Sequence, residues 1–227
     1  MRLRELHAWD LTPAEAIAVQ VELAPQVVLS GAPGNVRLVA AADVAYVERA
    51  PAWAASTARA AVVVMSYPGL DVVEHHVVQA PVSFPYVPGL LSFREIPALA
   101  AALVQVKSSP DLLLVDGQGY AHPRRLGLAS HLGLLAGLPT IGCAKSRLCG
   151  EAEEPSPERG AWSALVDGGE TIGRVLRTRN GVKPLYVSVG HVIGLEAAAE
   201  WVLRLATRYR LPEPARLADY LSKGRSL

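Results

Sequence analysis

The sequence predicts an α/β protein with a mixed central sheet, in which an antiparallel three-strand meander is followed by parallel strands, and with helices on the sheet's faces. Two observations support this prediction. Three valine-rich segments, residues 36–47, 58–68 and 70–80, follow one another with short linking segments, which is typical of antiparallel strands. Helical and strand-like segments then alternate, which is typical of parallel strands joined by crossover helices.

Two helices are predicted around this meander. Residues 13–24 follow Thr12, and a Thr-Pro pair is a favourable cap and first turn. Residues 93–106 place apolar side chains at helical spacing. We expect Ser92 to cap this second helix, with Glu95 three residues on as its capping-box partner.

Residues 111–117 form an apolar run without alternation, which favours a buried parallel strand. Turn signals and periodicity then predict helices over 125–137, 194–209 and 214–223, strands over 140–144 and 185–190, and a hairpin of 162–167 with 171–178 around Gly168-Gly169. Residues 151–160 are polar and are expected to form an exposed excursion. This order of elements is that of a ribonuclease-H-like fold.

The composition indicates a folded protein with one domain spanning residues 1–227, since 51% of the residues are hydrophobic and 19% charged. The net charge of +1 means that any nucleic-acid contact must use local cations. Cys143 and Cys149 are too few for a disulfide framework. With neither a signal peptide nor a continuous apolar span in the sequence, we expect a soluble, cytoplasmic monomer without membrane contact.

Four acids stand out as candidate site residues. Asp43 interrupts an apolar strand, where an unpaired carboxylate costs at least several kcal/mol. Asp116 ends the strand of residues 111–117, and ligand sites collect at the carboxyl ends of parallel strands. Glu95 and Asp219 lie on predicted helices. Each acid also has an ordinary explanation, such as a paired core acid, an Asp-Gly turn, a helix cap or a solvated helix face.

If these acids converge, they form a site for a hard divalent cation such as Mg²⁺, which prefers oxygen ligands. The corresponding chemistry is hydrolysis at phosphate. Arg124 and Arg125 stand at a predicted helix start, where a cation is disfavoured unless an anion joins it. They are therefore either phosphate ligands or a solvated basic pair. Lys145 follows a strand's carboxyl end and is a further candidate phosphate contact.

The loop after Asp116 contains Gly117 and Gly119 but fails the G-x-G-x-x-G pattern, because His122 occupies the last position. We therefore expect these glycines to allow close approach of a ligand to the backbone. In PYVPG, Tyr86 lies between two prolines, so it is either a packed ring or a ring held outward to stack on bases. His122 and His131 are candidate titrating groups or structural histidines. His191 either reaches the site or serves the entry of the helix that follows it.

Several long motifs, in the same order along the chain, together closely resemble the endonuclease V family of deoxyinosine-directed nucleases. The motifs are VAAADVAYV, PYVPGLLSFREIPAL, DGQGYAHPRRLGLASHLG, PTIGCAKSRLCG, VSVGH and RLPEPARLADY. The resemblance covers roughly residues 36–223 and implies the ribonuclease-H-like fold.

The resemblance also implies roles for individual residues. Asp43 and Asp116 would bind the metal, and Glu95 would support the metal or activate water. Asp219 would be a fourth site position. Lys145 would lie near the scissile phosphate with His122 beside it. Tyr86 would be a wedge that separates strands, and the pocket for the turned-out hypoxanthine would be lined by Leu91, Gly117, Gly119, Gly127 and Leu148.

The reaction implied is Mg²⁺-dependent hydrolysis, with Mn²⁺ as a substitute, of the second phosphodiester bond 3′ to deoxyinosine. The products would carry 3′-hydroxyl and 5′-phosphate ends, as part of DNA repair. One alternative is an endonuclease for inosine in single-stranded RNA, and another is a non-catalytic nucleic-acid-binding module. A cysteine hydrolase is a weaker alternative, because Cys143 lies in an apolar strand with no evident base near it.

Overall fold

The protein is built around an eight-stranded mixed sheet with the order β3-β2-β1-β4-β5-β8-β7-β6. The structure is a computed structural model, and it describes residues 1–47 and 56–227. The strands are β1 Leu38–Val47, β2 Thr57–Ser66, β3 Val72–Pro81, β4 Leu112–Val115, β5 Thr140–Ala144, β6 Trp162–Asp167, β7 Glu170–Leu176 and β8 Leu185–His191. The helices are α1 Pro13–Leu23, α2 Leu91–Leu103, α3 Leu128–Ala136, α4 Leu195–Leu205 and α5 Glu213–Ser222.

The predicted meander and parallel strands are confirmed. β1, β2 and β3 pair antiparallel, and β1, β4 and β5 pair parallel. β8 returns antiparallel to β5, and the β6–β7 hairpin extends the sheet beyond it. Positive φ angles at Gly168 and Gly169 suit the tight turn of this hairpin.

Two apolar layers cover the opposite faces of the sheet, because alternate residues of its central strands point to opposite sides. α2 and α3 pack on one face, against residues such as Ala40, Ala42 and Leu113. α4 and α5 pack on the other, against Val39, Ala41 and neighbours. β1 is therefore buried from both sides, which explains its alanine-rich sequence.

The predicted helices differ from the structure at their ends: α2 ends at Leu103 and α4 at Leu205, earlier than predicted, and two predicted starts are wrong. Ser92 does not cap α2: the helix begins at Leu91, its N-terminal flanking residue Leu90 makes no side-chain cap, and Ser92 is buried inside the first turn. The capping box with Glu95 is consequently absent from this helix. Arg125 does not start α3, because the helix begins at Leu128 after Gly127.

The capping box of α1 is present, with Thr12 and Glu15 as its reciprocal partners. Among the described residues, no helix is both long and apolar enough to cross a membrane.

Candidate active site

Three carboxylates from separate elements meet at one end of the parallel strands. Asp43 lies on β1, Asp116 directly follows β4, and Asp219 lies on α5. The first two are brought together because Ala42 and Val115 are register partners in adjacent parallel strands. One oxygen from each of the three carboxylates lies within 4.8 Å of the others. The sheet and α5 therefore bring three of the four candidate acids together.

Asp43 is the most buried of the three, with 9% exposure. The Ser222 hydroxyl, at the end of α5, donates a hydrogen bond to its Oδ2. Burial and the neighbouring charge of Asp116 nevertheless raise the pKa of Asp43 to about 7. The protein thus holds this carboxyl where a nearby cation is strongly favoured.

Glu95 lies close to the three acids without joining the cluster. Its Oε1 accepts a hydrogen bond of 3.1 Å from the Tyr46 hydroxyl, and Arg94 Nε in turn donates to that hydroxyl at 3.2 Å. Burial raises the pKa of Glu95 to about 8, and the charges of Asp43 and Asp116 add to the shift. The Tyr46 contact, rather than the expected helix cap, fixes this side chain.

Lys145 places its ammonium group between two of the acids. Nζ contacts Asp116 Oδ2 and lies 2.6 Å from Asp219 Oδ1. Burial opposes the charged form, but the two carboxylates outweigh it and raise the pKa of Lys145. Lys223 contacts Asp219 alone, at 2.8 Å. The end of β5 therefore delivers a fixed positive charge beside the acid cluster.

The donor set fits a hard divalent cation. Three carboxylates supply oxygen ligands of the kind that Mg²⁺ prefers, and among the described residues Asp43 has the Ser222 hydroxyl as its hydrogen-bond donor, whereas the Lys145 ammonium contacts the other two acids. Asp43, Asp116 and Asp219 are the residues that would hold the ion. The set adds Asp219 to the two metal ligands implied by the resemblance.

A cavity of about 380 Å³ opens beside the acids and shares Asp116 and Lys145 with them. Tyr86 stands on its wall with 75% of its surface exposed. The cavity is also lined by other residues named from the sequence: Leu91, Gly117, His122, Gly127 and Leu148.

Gly119 is not among the lining residues of that cavity. A side chain on Gly119 would meet the Val189 carbonyl oxygen at 2.1 Å. This glycine therefore allows the loop to pack closely against β8.

His122 joins two loops through its ring. Its Nε2 lies 3.0 Å from the Gly89 carbonyl oxygen and Nδ1 accepts a bond from the Arg124 amide. Because a carbonyl can only accept, Nε2 carries the hydrogen. Burial lowers the pKa of His122 to about 4, so the ring is neutral and connects the PYVPG loop to the loop after Asp116.

The two arginines of that loop have partners inside the protein. Arg125 contacts Asp167 at 2.8 Å and Glu170 at 2.9 Å. Arg124 donates to the Gln20 side chain and to the Gly89 carbonyl. Arg125 is therefore paired with carboxylates on the β6–β7 hairpin and is not part of a solvated basic pair, whereas a phosphate contact of either arginine stays a prediction.

His131 and His191 make their contacts with groups other than the acids. His191 Nδ1 accepts a bond from the Val28 amide, and buried His131 contacts His7 through their Nε2 atoms at 2.8 Å.

Sequence reasoning did not identify Tyr46 or Ser222 as site residues. Ser222 follows Asp219 by three positions, which is one face of a helix, so its location had a signal; Tyr46 had none.

Comparison with known proteins identifies the family. Residues 21–220 match the family model described as Endonuclease V. The chain belongs to the endonuclease V family. It is 55% identical over 218 residues to endonuclease V of Gloeobacter violaceus, covering 96% of this chain and 87% of that protein. It is 50% identical to the Nostoc sp. protein, covering 99% and 100% respectively.

Solved endonuclease V structures share the fold. The Streptomyces avermitilis protein matches with a TM-score of 0.88 and 46% identity, over 99% of this chain and 97% of that one. The Ciona intestinalis protein, in complex with a 24mer DNA containing an inosine followed by a ribo-adenosine, matches with a TM-score of 0.80 and 29% identity, over 93% and 95%. The ribonuclease-H-like prediction is thereby confirmed.

As an endonuclease V family member, the protein is a nuclease, and the cysteine-hydrolase alternative is wrong. Cys143 is fully enclosed in β5, and burial raises the pKa of its thiol to about 12. A thiol in that state supplies almost no thiolate nucleophile at neutral pH.

Proposed function

We propose that this endonuclease V family member is a DNA-repair nuclease that hydrolyses the second phosphodiester bond 3′ to deoxyinosine and requires Mg²⁺. It leaves 3′-hydroxyl and 5′-phosphate ends, and Mn²⁺ substitutes for Mg²⁺. The observation that supports this most directly is the convergence of Asp43, Asp116 and Asp219 beside a cavity. We further propose that its 227 residues act as one domain and as a monomer.

Asp43, Asp116 and Asp219 hold the metal in this proposal. When bound, the cation supplies charge that offsets the phosphate and favours deprotonation of the attacking water. Lys145 already touches Asp116 and Asp219, so its ammonium lies where it can contact a phosphate oxygen. Glu95, oriented by Tyr46, either supports the metal or positions the water.

The cavity takes the turned-out base. Its wall combines the aromatic ring of Tyr86 with the half-exposed side chains of Leu91 and Leu148, and such apolar surface suits the faces of a purine. Tyr86, held between two prolines at the rim, is placed to enter the space that the base leaves. Extrusion costs least where pairing is already weak, which favours deaminated adenine over an intact pair.

Cleavage mapping tests the proposal. A 5′-labelled duplex with one deoxyinosine is incubated with the protein in Mg²⁺ and in EDTA, and a duplex with deoxyadenosine at the same position serves as the matched control. We expect a single labelled product from the inosine strand in Mg²⁺, and none in EDTA or from the control duplex. This product is one nucleotide longer than the one that cleavage at the first bond 3′ to the inosine would give. Cleavage of both strands alike, or in EDTA, contradicts the proposal; binding without cleavage at any Mg²⁺ concentration indicates a non-catalytic module.

Inosine in RNA is the second candidate substrate. The Ciona intestinalis protein was crystallised with a ribo-adenosine following the inosine, so a ribose is compatible with that position in one relative. Matched inosine DNA and RNA single strands, cut at the same salt concentration, separate the two substrates. Faster cleavage of the RNA strand favours the alternative.

A further inference from the structure

The cavity beside the acids has two polar side chains in its wall whose hydrogen-bonding capacity is unused. Ser92 and Gln118 both line the cavity, with 2% and 8% of their surfaces exposed. Ser92 Oγ and Gln118 Oε1 are buried and have no hydrogen-bond partner within residues 1–47 and 56–227. A buried polar atom without a partner is costly. The two atoms therefore indicate that a ligand in the cavity supplies their missing hydrogen bonds.

The hydrogen bond of the Gln118 Nε2 atom fixes the orientation of its side-chain amide. Nε2 donates a hydrogen bond of 2.8 Å to the Ser146 carbonyl oxygen. Exchanging the amide's two ends would place oxygen against oxygen, so Oε1 remains the free atom and can only accept. The Ser92 hydroxyl, in contrast, rotates and can either donate or accept.

These two atoms differ in what they select. Hypoxanthine presents a donor at N1 and an acceptor at its 6-oxygen, whereas adenine presents an acceptor at N1 and a donor at its 6-amino group. An acceptor that faces N1 is therefore matched by hypoxanthine and opposed by adenine. A hydroxyl near position 6 adapts to either base.

We propose that Gln118 is the residue that distinguishes hypoxanthine from adenine, because its Oε1 accepts the hydrogen bond of the base N1–H. Ser92 contacts the neighbouring polar position of the base and does not select. Guanine carries the same N1–H, so the Gln118 contact separates hypoxanthine from adenine and leaves guanine to other contacts. This inference rests on the proposed function, since it assigns the cavity to the base.

The test measures binding of two single strands that differ only in deoxyinosine or deoxyadenosine, by fluorescence anisotropy in EDTA. Single strands remove the cost of breaking a base pair. For Gln118→Leu we expect the preference for the inosine strand to fall about tenfold or more, since a site built around one hydrogen bond discriminates through it. Ser92→Ala is expected to weaken binding of both strands and to leave the preference for the inosine strand unchanged. Gln105→Leu, the same change on an exposed glutamine after α2, is the matched control. It is expected to leave both the affinity for the strands and the inosine preference unchanged.

A probe on the substrate side covers the case in which Gln118→Leu does not fold. Deoxynebularine lacks both the N1 hydrogen and the 6-oxygen, so its strand is compared with the inosine strand in Ser92→Ala, where the contact of Ser92 with the neighbouring position is absent, and is expected to bind about tenfold more weakly. Equal binding of those two strands, or an unchanged inosine preference in folded Gln118→Leu, overturns the inference. Neither result affects the proposed function, which fails instead if the wild-type protein does not cut the inosine strand in Mg²⁺.

Discussion

Asp43 is a candidate site residue because burying its carboxylate costs free energy. It is an acid in the middle of a strand buried on both faces, and its pKa of about 7 reflects that position. A buried carboxylate without compensation costs several kcal/mol, which is why the sequence marks Asp43 as a candidate site residue; in the structure the Ser222 hydroxyl and the nearby Lys145 offset part of that cost. The sequence predicts Asp43 as a site residue because it interrupts an apolar strand, and Asp116 because it stands at the carboxyl end of a parallel strand.

Lys145 and Lys223 offer a matched comparison at the residue scale. Lys145 contacts Asp116 and Asp219, whereas Lys223 contacts Asp219 alone and is half-exposed. We expect Lys145→Met to slow cleavage of an inosine strand by about a hundredfold, because a fixed charge beside the reacting phosphate is lost. Lys223→Met should slow it less than about threefold, as expected for an exposed ion pair.

Single-turnover cleavage rates at saturating Mg²⁺ measure both effects. Equal losses in the two variants would show that Lys145 acts only by neutralising Asp219. The folded state of each variant is verified by its far-ultraviolet circular dichroism.

Other site residues had no usable signal in the sequence. Tyr46 orients Glu95 and Gln118 lines the cavity, but a tyrosine at the end of a strand and a glutamine between two glycines are common. Their roles arise from contacts with residues distant in sequence. The sequence predicts Glu95 as a candidate residue, but its predicted capping contact is wrong. Helix periodicity does not reveal a side-chain contact with Tyr46 on β1.

At the element scale, the β6–β7 hairpin supports the loop that follows Asp116. Arg125 contacts Asp167 and Glu170 at the turn of the hairpin, and the Tyr120 hydroxyl donates to Glu170 at 2.6 Å. Arg125 also has a φ of 57°, an unfavourable value for a residue with a side chain. The hairpin's acids therefore hold the loop in a conformation that it would not adopt alone.

This arrangement predicts different salt effects for two arginines. Arg147 is exposed on the wall of the cavity, whereas Arg125 is neutralised within the protein. We expect the exposed Arg147 to contact a backbone phosphate, so Arg147→Met should reduce the slope of log K against log salt concentration by about 0.7 for a single strand. Arg125→Met should leave that slope unchanged.

The measurement is a salt titration of binding to the inosine strand. A reduced slope in Arg125→Met and an unchanged one in Arg147→Met would reverse the assignment. Arg125→Met is also expected to lower the free energy of unfolding by about 1 kcal/mol, because its acid partners are partly exposed.

Most elements were predictable because their apolar patterns are set by burial. β1, β2 and β3 follow from valine-rich runs, β4 and β5 from short apolar runs between helices, and the hairpin from its glycine turn. Their pairing follows from the order of helices and strands. The start of α2 was misplaced because a serine before a helical run usually caps it, and here Ser92 faces the cavity. The start of α3 was misplaced because Arg124 and Arg125 belong to a turn held by tertiary contacts.

At the scale of the whole molecule, the N-terminal segment is tied to the helical layer. The Arg4 amide donates to the Leu135 carbonyl, and His7 contacts His131 on α3. His131 is fully buried beside Trp9 and Phe93, and burial lowers its pKa to about 3. Its neutral form is therefore part of the folded state.

This burial predicts a loss of stability in acid. His131 has a lower pKa in the folded state than the ordinary value near 6.5, so between about pH 6.5 and 3 the unfolded chain binds the extra proton. Stability from this group is present above pH 6.5 and falls as the pH drops, by up to about 1.4 kcal/mol per pH unit. Urea unfolding of His131→Leu should show a shallower pH dependence than the wild type.

Comparison with wild type removes the contributions of groups shared by both proteins. His75→Gln, on the exposed side of β3, is the control and should follow the wild-type curve. Parallel curves for His131→Leu and wild type would contradict the role assigned to burial of the ring.

In the proposed function, three acids, on β1, directly after β4 and on α5, form the metal site for cleavage beside inosine. A Mg²⁺ titration of inosine-strand cleavage tests it most directly, with wild type, Asp43→Asn, Asp116→Asn and the control Asp10→Asn, an exposed acid before α1. We predict cleavage that saturates with Mg²⁺ in wild type and Asp10→Asn, and no product from folded Asp43→Asn or Asp116→Asn. Cleavage in EDTA, or by either site variant at the wild-type rate, would contradict the account.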